Sequence, residues 1–182
     1  VWNHGIPLEY SKKYNIPFND ARTMIRTHYE TVGDGDILWY EIDHWLEKLS
    51  VPVSPEELLR RYEPYIKPLP YAGEVLKELA KKYLLIIASN AARCFVEKEL
   101  EVTGFRHYFA SVVSATTDYG TIKKEEGFYH RICESLQVKP SEIVHVGDHP
   151  VFDHDVPSGV GIESYYLTNK ESDEKNSEGR RI

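Results

Sequence analysis

The chain has 182 residues, of which 41% are hydrophobic and 28% are charged, so its composition is that of an ordinary globular domain. A formal net charge of -7 argues against a protein that binds nucleic acid through a basic face. No apolar run reaches the roughly 20 residues that span a bilayer, and the first residues lack the basic and apolar parts of a signal peptide. We therefore expect a cytoplasmic protein without nucleic-acid or membrane partners.

The first part of the chain is predicted to be helical. Apolar residues recur at helical spacing over residues 19–32, and a second apolar stripe over residues 37–49 predicts another helix with Asp36 as its N-cap. A third helix begins at Ser54, where a capping residue precedes Pro55 at the first helical position, and runs through Tyr62.

In the second part, predicted helices and strands alternate. The predicted strands cover residues 84–89, 111–114, 143–147 and 163–167, and the predicted helices cover residues 71–82, 91–102 and 125–136, with a short helix through Val156. The first of these strands is an unbroken apolar run, which is typical of a strand buried on both faces. Alternation of this kind predicts right-handed crossovers and a parallel sheet. The predicted fold is α/β, with a Rossmann-like parallel sheet core (residues 68–182) flanked by helices and a small all-helical cap domain (residues 1–67).

Polar side chains follow the predicted strands at their carboxyl ends, where parallel sheets bind ligands. Asp148 comes directly after one strand, and Asp153 lies five residues further on, so both carboxylates can turn toward the same crevice. Paired carboxylates suit Mg²⁺, which prefers oxygen ligands and keeps several waters. The alternative is structural: Asp153 caps the helix beyond it and Asp148 accepts hydrogen bonds from loop amides.

Two further groups could bind a phosphate. Ser89 and Asn90 end a strand just before a helix, where a hydroxyl and backbone amides can hold a phosphate oxygen, although the same pair is ordinary capping chemistry. Lys123 or Lys124 could offset negative charge near the carboxylates, and the alternative for each is a solvated surface lysine. Nearby histidines are spaced like no recognised metal-ligand set, which argues against a transition metal; they are His145, His149 and His154.

Taken in order, these motifs resemble the haloacid dehalogenase-like hydrolase superfamily, in its phosphatase-type branch with a helical cap after the first strand. The resemblance covers residues 68–167 and is carried by Leu84-Leu85-Ile86-Ile87-Ala88-Ser89-Asn90, by Lys123, and by Gly147-Asp148-His149-Pro150-Val151-Phe152-Asp153. It implies that Ser89, with Asn90 beside it, binds the transferring phosphoryl group, that Lys123 is the active-site lysine, and that Asp148 and Asp153 hold Mg²⁺. Phe128-Tyr129 sets the register onto Lys123, and Lys124 stands where the family often has proline.

The resemblance implies a Mg²⁺-dependent phosphatase that acts on a small phosphorylated metabolite through an aspartyl-phosphate intermediate. Members of the superfamily open with a strand that ends in Asp-x-Asp, whose first aspartate attacks phosphorus. Residues 1–7 contain Gly5 and Pro7 and match no such strand, so we expect the first core strand and its nucleophile upstream of Val1. The alternatives are a catalytically silent relative that binds a phosphorylated ligand or a protein, and a 2-haloacid dehalogenase, a class that usually lacks the acidic pair.

Overall fold

The computed structural model describes residues 1–123 and 125–167. The chain divides into two compact units, Val1–Ile122 and Lys123–Ile182, and each is described by itself below. Among the described residues, no helix is both long enough and apolar enough to cross a bilayer.

The first unit begins with four helices: α1 (Gly5–Tyr14), α2 (Phe18–Val32), α3 (Ile42–Lys48) and α4 (Pro55–Tyr62). Their apolar faces form a core that includes four almost fully buried side chains, those of Ile6, Ile25, Trp45 and Leu58. The predicted α2 and α4 are confirmed, and the Ser54 hydroxyl accepts a hydrogen bond from the Glu57 amide at 3.2 Å, as a capping residue should.

Two helical segments differ from the sequence prediction. The single helix predicted over residues 37–49 is wrong: a 3₁₀ turn (Ile37–Tyr40) and α3 (Ile42–Lys48) are separated by Glu41 in an extended conformation. Asp36 does cap, but it caps the 3₁₀ turn, whose Leu38 amide it binds at 2.9 Å. Helix α1 was not predicted, because Gly5 and Pro7 disfavour a helix except in its first turn, which is where they lie.

The rest of the first unit contains α5 (Ala72–Leu79), β1 (Ile86–Ser89), α6 (Arg93–Thr103), β2 (Ser111–Ser114) and the short α7 (Ala115–Tyr119). Strands β1 and β2 pair in parallel, with Ile86 opposite Ser111 and Ser89 opposite Ser114. Helix α6 ends at Gly104, which takes a left-handed φ of 73° that favours glycine. The expected burial of the first strand on both faces is wrong, since all four residues of β1 are only half-buried.

The second unit contains α8 (Glu126–Leu136), β3 (Val144–Gly147), a π-helical turn (Pro150–Asp155), α9 (Val156–Val160) and β4 (Glu163–Tyr166). Strands β3 and β4 are parallel, with Val144 opposite Glu163 and Gly147 opposite Tyr166. Its buried apolar side chains include several from α8 and from the segments that follow β3: Phe128, Tyr129, Ile132, Cys133, Phe152 and Ile162.

The predicted fold class is confirmed, because parallel strands connected by helices follow a helical N-terminal part. Along the chain, the two compact units divide between Ile122 and Lys123. The division into a cap over residues 1–67 and a core over residues 68–182, with a first core strand upstream of Val1, stays a prediction.

Candidate functional site

At the carboxyl end of β1, Ser89 and Asn90 stand where the sequence places them. The Ser89 hydroxyl oxygen accepts a hydrogen bond from the Ala91 amide at 3.1 Å. The Asn90 side chain is buried and donates from Nδ2 to the Tyr40 hydroxyl at 3.2 Å. Tyr40 donates its own hydrogen to the Asp34 carbonyl at 3.0 Å, so toward Asn90 the Tyr40 oxygen can only accept. The side-chain amide of Asn90 is therefore oriented with its nitrogen toward Tyr40.

Hydroxyls from the end of β2 hold the backbone of this strand end. The fully buried Ser114 donates to the Ala91 carbonyl at 2.8 Å, and Thr116 donates to the Asn90 carbonyl at 2.9 Å. Because two neighbouring carbonyls are fixed in this way, the turn that carries Ser89 and Asn90 is supported from β2 as well as by its own strand.

The second unit contains a buried ion pair between Lys123 and Asp153, which are 7% and 4% exposed. The Lys123 ammonium contacts Oδ1 of Asp153, and Nε2 of His145 lies 2.9 Å from the same oxygen. The other carboxylate oxygen accepts from the His149 amide at 3.0 Å. Lys123 is therefore not the solvated surface lysine of the alternative interpretation, and Asp153 is not simply a helix cap.

The three donors keep Asp153 ionised. Burial alone would raise the pKa of this carboxyl, but the hydrogen bond from His145, the charge and hydrogen bond of Lys123 and the His149 amide together hold the pKa well below its ordinary value. A carboxylate in this state only accepts hydrogen bonds, so each group that faces it must present a hydrogen.

Gly147 makes room for Asp153 at the end of β3. A Cβ added at position 147 would overlap the carboxylate group and Cβ of Asp153, so a larger residue would displace that side chain. The π-helical turn brings Asp153 back to this point, with its amide donating to the His149 carbonyl at 2.9 Å and the His149 ring stacked on Phe152 at 3.8 Å.

Asp148, the other predicted metal ligand, is exposed and makes no hydrogen bond or ion pair within the described part of the chain. Its carboxylate is therefore accessible, whereas that of Asp153 is enclosed. Nowhere in residues 1–123 and 125–167 do three His, Cys, Asp or Glu side chains gather in a metal-binding group. Mg²⁺ needs only one or two carboxylates because it keeps several waters, so the exposed Asp148 fits this ion, whereas Asp153 would reach it only if one of its oxygens were released from the donors that hold it.

Of the predicted site residues, the structure brings together Lys123 and Asp153 in the second unit, and Ser89 with Asn90 in the first. Lys124, the rival of Lys123, lies outside the described residues. Sequence reasoning rejected His145 as a metal ligand and missed its contact with Asp153. It also missed Tyr40, whose contact with Asn90 joins residues fifty positions apart.

Many proteins with different ligands share a parallel α/β fold with polar groups at its strand ends, so the fold alone does not identify the family. The sequence model of the haloacid dehalogenase-like hydrolases matches residues 4–155. The chain belongs to this hydrolase family, and the resemblance inferred from its motifs is confirmed. A comparison with curated proteins finds no significant match.

Solved structures of the same family share the fold. A haloacid dehalogenase-like phosphatase from Thermococcus onnurineus is 24% identical, with a TM-score of 0.79 over 92% of this chain and 77% of that one. A family enzyme from Bacteroides thetaiotaomicron, solved with magnesium and inorganic phosphate, is 16% identical, with a TM-score of 0.64 over 90% of this chain and 85% of that one. A 2-haloacid dehalogenase from Pseudomonas syringae is 20% identical, with a TM-score of 0.53 over 88% and 61%. At these identities the likeness shows the fold alone.

Proposed function

We propose that the protein is a Mg²⁺-dependent phosphatase that acts on a small phosphorylated metabolite through an aspartyl-phosphate intermediate. The observation that carries the proposal is the buried ion pair of Lys123 and Asp153 at the carboxyl end of β3. The residue that directly follows β3 is the accessible Asp148. Because Lys123 is buried and its carboxylate partner is fixed, it is not an ordinary surface lysine. A cation held in this way can offset the negative charge of a phosphoryl group. A 2-haloacid dehalogenase would have no use for the two carboxylates of Asp148 and Asp153.

Each predicted residue then has a role. Lys123 binds the phosphoryl group and screens its charge, and Ser89 and Asn90 bind its oxygens. The Ser89 oxygen accepts from the Ala91 amide, so the hydroxyl hydrogen, which donates to no group in the described residues, is left for a ligand. Asp148 and Asp153 would hold Mg²⁺, whose charge when bound favours attack on phosphorus.

The decisive assay is phosphate release from a small aryl phosphate in the presence of Mg²⁺. We expect the Asp148→Asn variant to lose activity by orders of magnitude, because the accessible carboxylate is removed while the Lys123–Asp153 pair stays intact. Asp155→Asn is the matched control, since Asp155 is exposed and, among the residues that the structure describes, pairs only with His154. Strong activity that survives in Asp148→Asn, or in EDTA, would reject the metal role.

The second candidate is a silent relative that binds a phosphorylated ligand or a protein. None of the strands β1 to β4 ends in Asp-x-Asp, the source of the family's attacking carboxylate. The intact mass and N-terminal residues of the purified protein should therefore be read first. An additional strand that ends in Asp-x-Asp would complete the proposed site, whereas stabilisation by phosphate without turnover of any ester would favour the binding protein. Halide release without a metal would favour the dehalogenase.

A further inference from the structure

His145 lies on β3 beneath the ion pair and faces two groups at once. Its Nε2 is 2.9 Å from Oδ1 of Asp153 and 3.3 Å from the hydroxyl of Tyr129, whose ring meets the imidazole edge-on at 5.3 Å between centroids. Tyr129 is 1% exposed, and the His145 side chain is 13% exposed. The imidazole is thus enclosed between α8 and the π-helical turn.

The directions of these hydrogen bonds can be worked out from groups that only accept. The Tyr129 hydroxyl lies 2.5 Å from the Phe152 carbonyl, which has no hydrogen to offer, so Tyr129 donates there and can only accept from His145. The carboxylate of Asp153, which accepts from the Lys123 ammonium at Oδ1 and from the His149 amide at Oδ2, likewise acts as an acceptor. Nε2 of His145 must therefore carry a hydrogen, and it faces two acceptors.

We propose that His145, supported by Tyr129, is a positioning residue that fixes Oδ1 of Asp153 and through it the ammonium group of Lys123. Oδ1 is shared between the imidazole and the ammonium group, while Oδ2 is held by the His149 amide. The lysine side chain is long and flexible, so its direction depends on a carboxylate that cannot rotate. The rigid imidazole of His145 is the third group that contacts the carboxylate, after Lys123 and the His149 amide, and it prevents the carboxylate from rotating. The consequence for catalysis rests on the proposed function, whereas the hydrogen-bond assignment does not.

The assignment is tested first by NMR on the full-length protein, because the protonated nitrogen of a histidine has a distinct ¹⁵N shift. The resonance of His145, identified by its loss in His145→Gln, should show hydrogen on Nε2. An imidazole with Nε2 unprotonated could not donate to Asp153, and that result would overturn the proposal even if the protein proved to be an active phosphatase.

The functional consequence is tested with two substitutions. His145→Leu removes the donor, and we expect kcat/KM for an aryl phosphate to fall about 10- to 100-fold at a temperature well below unfolding, because small misplacements of a charge-binding group have effects of this size. Affinity for inorganic phosphate, measured by calorimetry, should weaken as well. His145→Gln retains a donor and should restore both to within about threefold of the wild type.

His130→Gln is the control, since His130 is exposed on α8 and makes no interaction with the ion pair. A merely structural role for His145 would lower the melting temperature of both substitutions at position 145 and leave kcat/KM and phosphate affinity unchanged, which would overturn the proposal. Equal losses in His145→Leu and His145→Gln would overturn it too. If the wild type hydrolyses no ester, the proposed function fails, and the NMR result still decides whether His145 holds Asp153.

Discussion

The buried pair of Lys123 and Asp153 should be the most sensitive polar contact of the second unit. Asp153→Asn keeps the shape of the side chain but removes its charge. Two donors converge on Oδ1 and one on Oδ2, so one of them must meet the new amide N–H₂ group. The substitution also leaves the ammonium of Lys123 buried without this carboxylate.

Breaking one side of a buried ion pair typically costs about 3–5 kcal/mol. This cost is a large part of the free energy of unfolding of a typical protein, which is about 5–15 kcal/mol. With a urea m-value of about 2 kcal/mol/M, the unfolding midpoint of Asp153→Asn should fall by about 1.5–2.5 M. Lys123→Met should cost less than Asp153→Asn, because Asp153 would keep its donors from His145 and the His149 amide.

A double-mutant cycle in urea isolates the pair. If the charges stabilise each other, the double variant should be destabilised by clearly less than the sum of the two single variants, with a coupling of about 1.5–3 kcal/mol. The matched control is the exposed pair of Arg26 and Glu30 on α2, at 2.8 Å, where Arg26→Met and Glu30→Gln should show a coupling of at most about 0.5 kcal/mol. Additive costs at Lys123 and Asp153 would refute the reasoning.

Three other substitutions follow from single contacts, each measured by urea unfolding. Gly147→Ala should destabilise by about 1–3 kcal/mol, because the new Cβ would overlap the carboxylate of Asp153; unchanged stability would show that the turn can shift freely. Tyr40→Phe removes the hydroxyl that fixes Asn90 and should cost about 0.5–1.5 kcal/mol, and a neutral effect would mean that water replaces it. Ser54→Ala removes a helix cap and should cost about 1 kcal/mol, which Ser54→Asp should restore if capping is the cause.

Local signals in the sequence predicted most of the elements. Ser54 with Pro55 marked the start of α4, and Gly104 marked the end of α6, because both positions require a particular residue type for reasons that lie within one helical turn. The apolar stripe over residues 37–49 was misleading, since a 3₁₀ turn followed by a helix presents apolar residues at nearly the same spacing as one helix. Only the extended backbone of Glu41 distinguishes them, and its residue type does not predict it.

Two signals in the sequence predict residues of the candidate site: the positions at which strands end and the spacing of residues within motifs. Ser89, Asn90, Asp148 and Asp153 follow from these two signals, whereas Lys123 was chosen over Lys124 through the family resemblance; that they form one site stays a prediction. The contacts of His145 and Tyr40 do not, because each depends on which side chain a distant segment brings near. A histidine in a strand has two faces available, and the sequence does not say which one meets a carboxylate.

The spacing of the Gly-Asp-x4-Asp motif has a physical reason in this chain. Gly147 is not required for an unusual backbone conformation, since no left-handed φ is found there. It is required for space, because a Cβ at this position would overlap the Asp153 carboxylate. The wide π-helical turn returns Asp153 to the strand end, and the exposed Asp148 stays on the accessible side. Two carboxylates five residues apart therefore have opposite environments, one enclosed by three donors and one open to a ligand. In the proposed site, Asp148 is therefore the carboxylate that a cation would reach first, while Asp153 would hold Lys123 from within the turn.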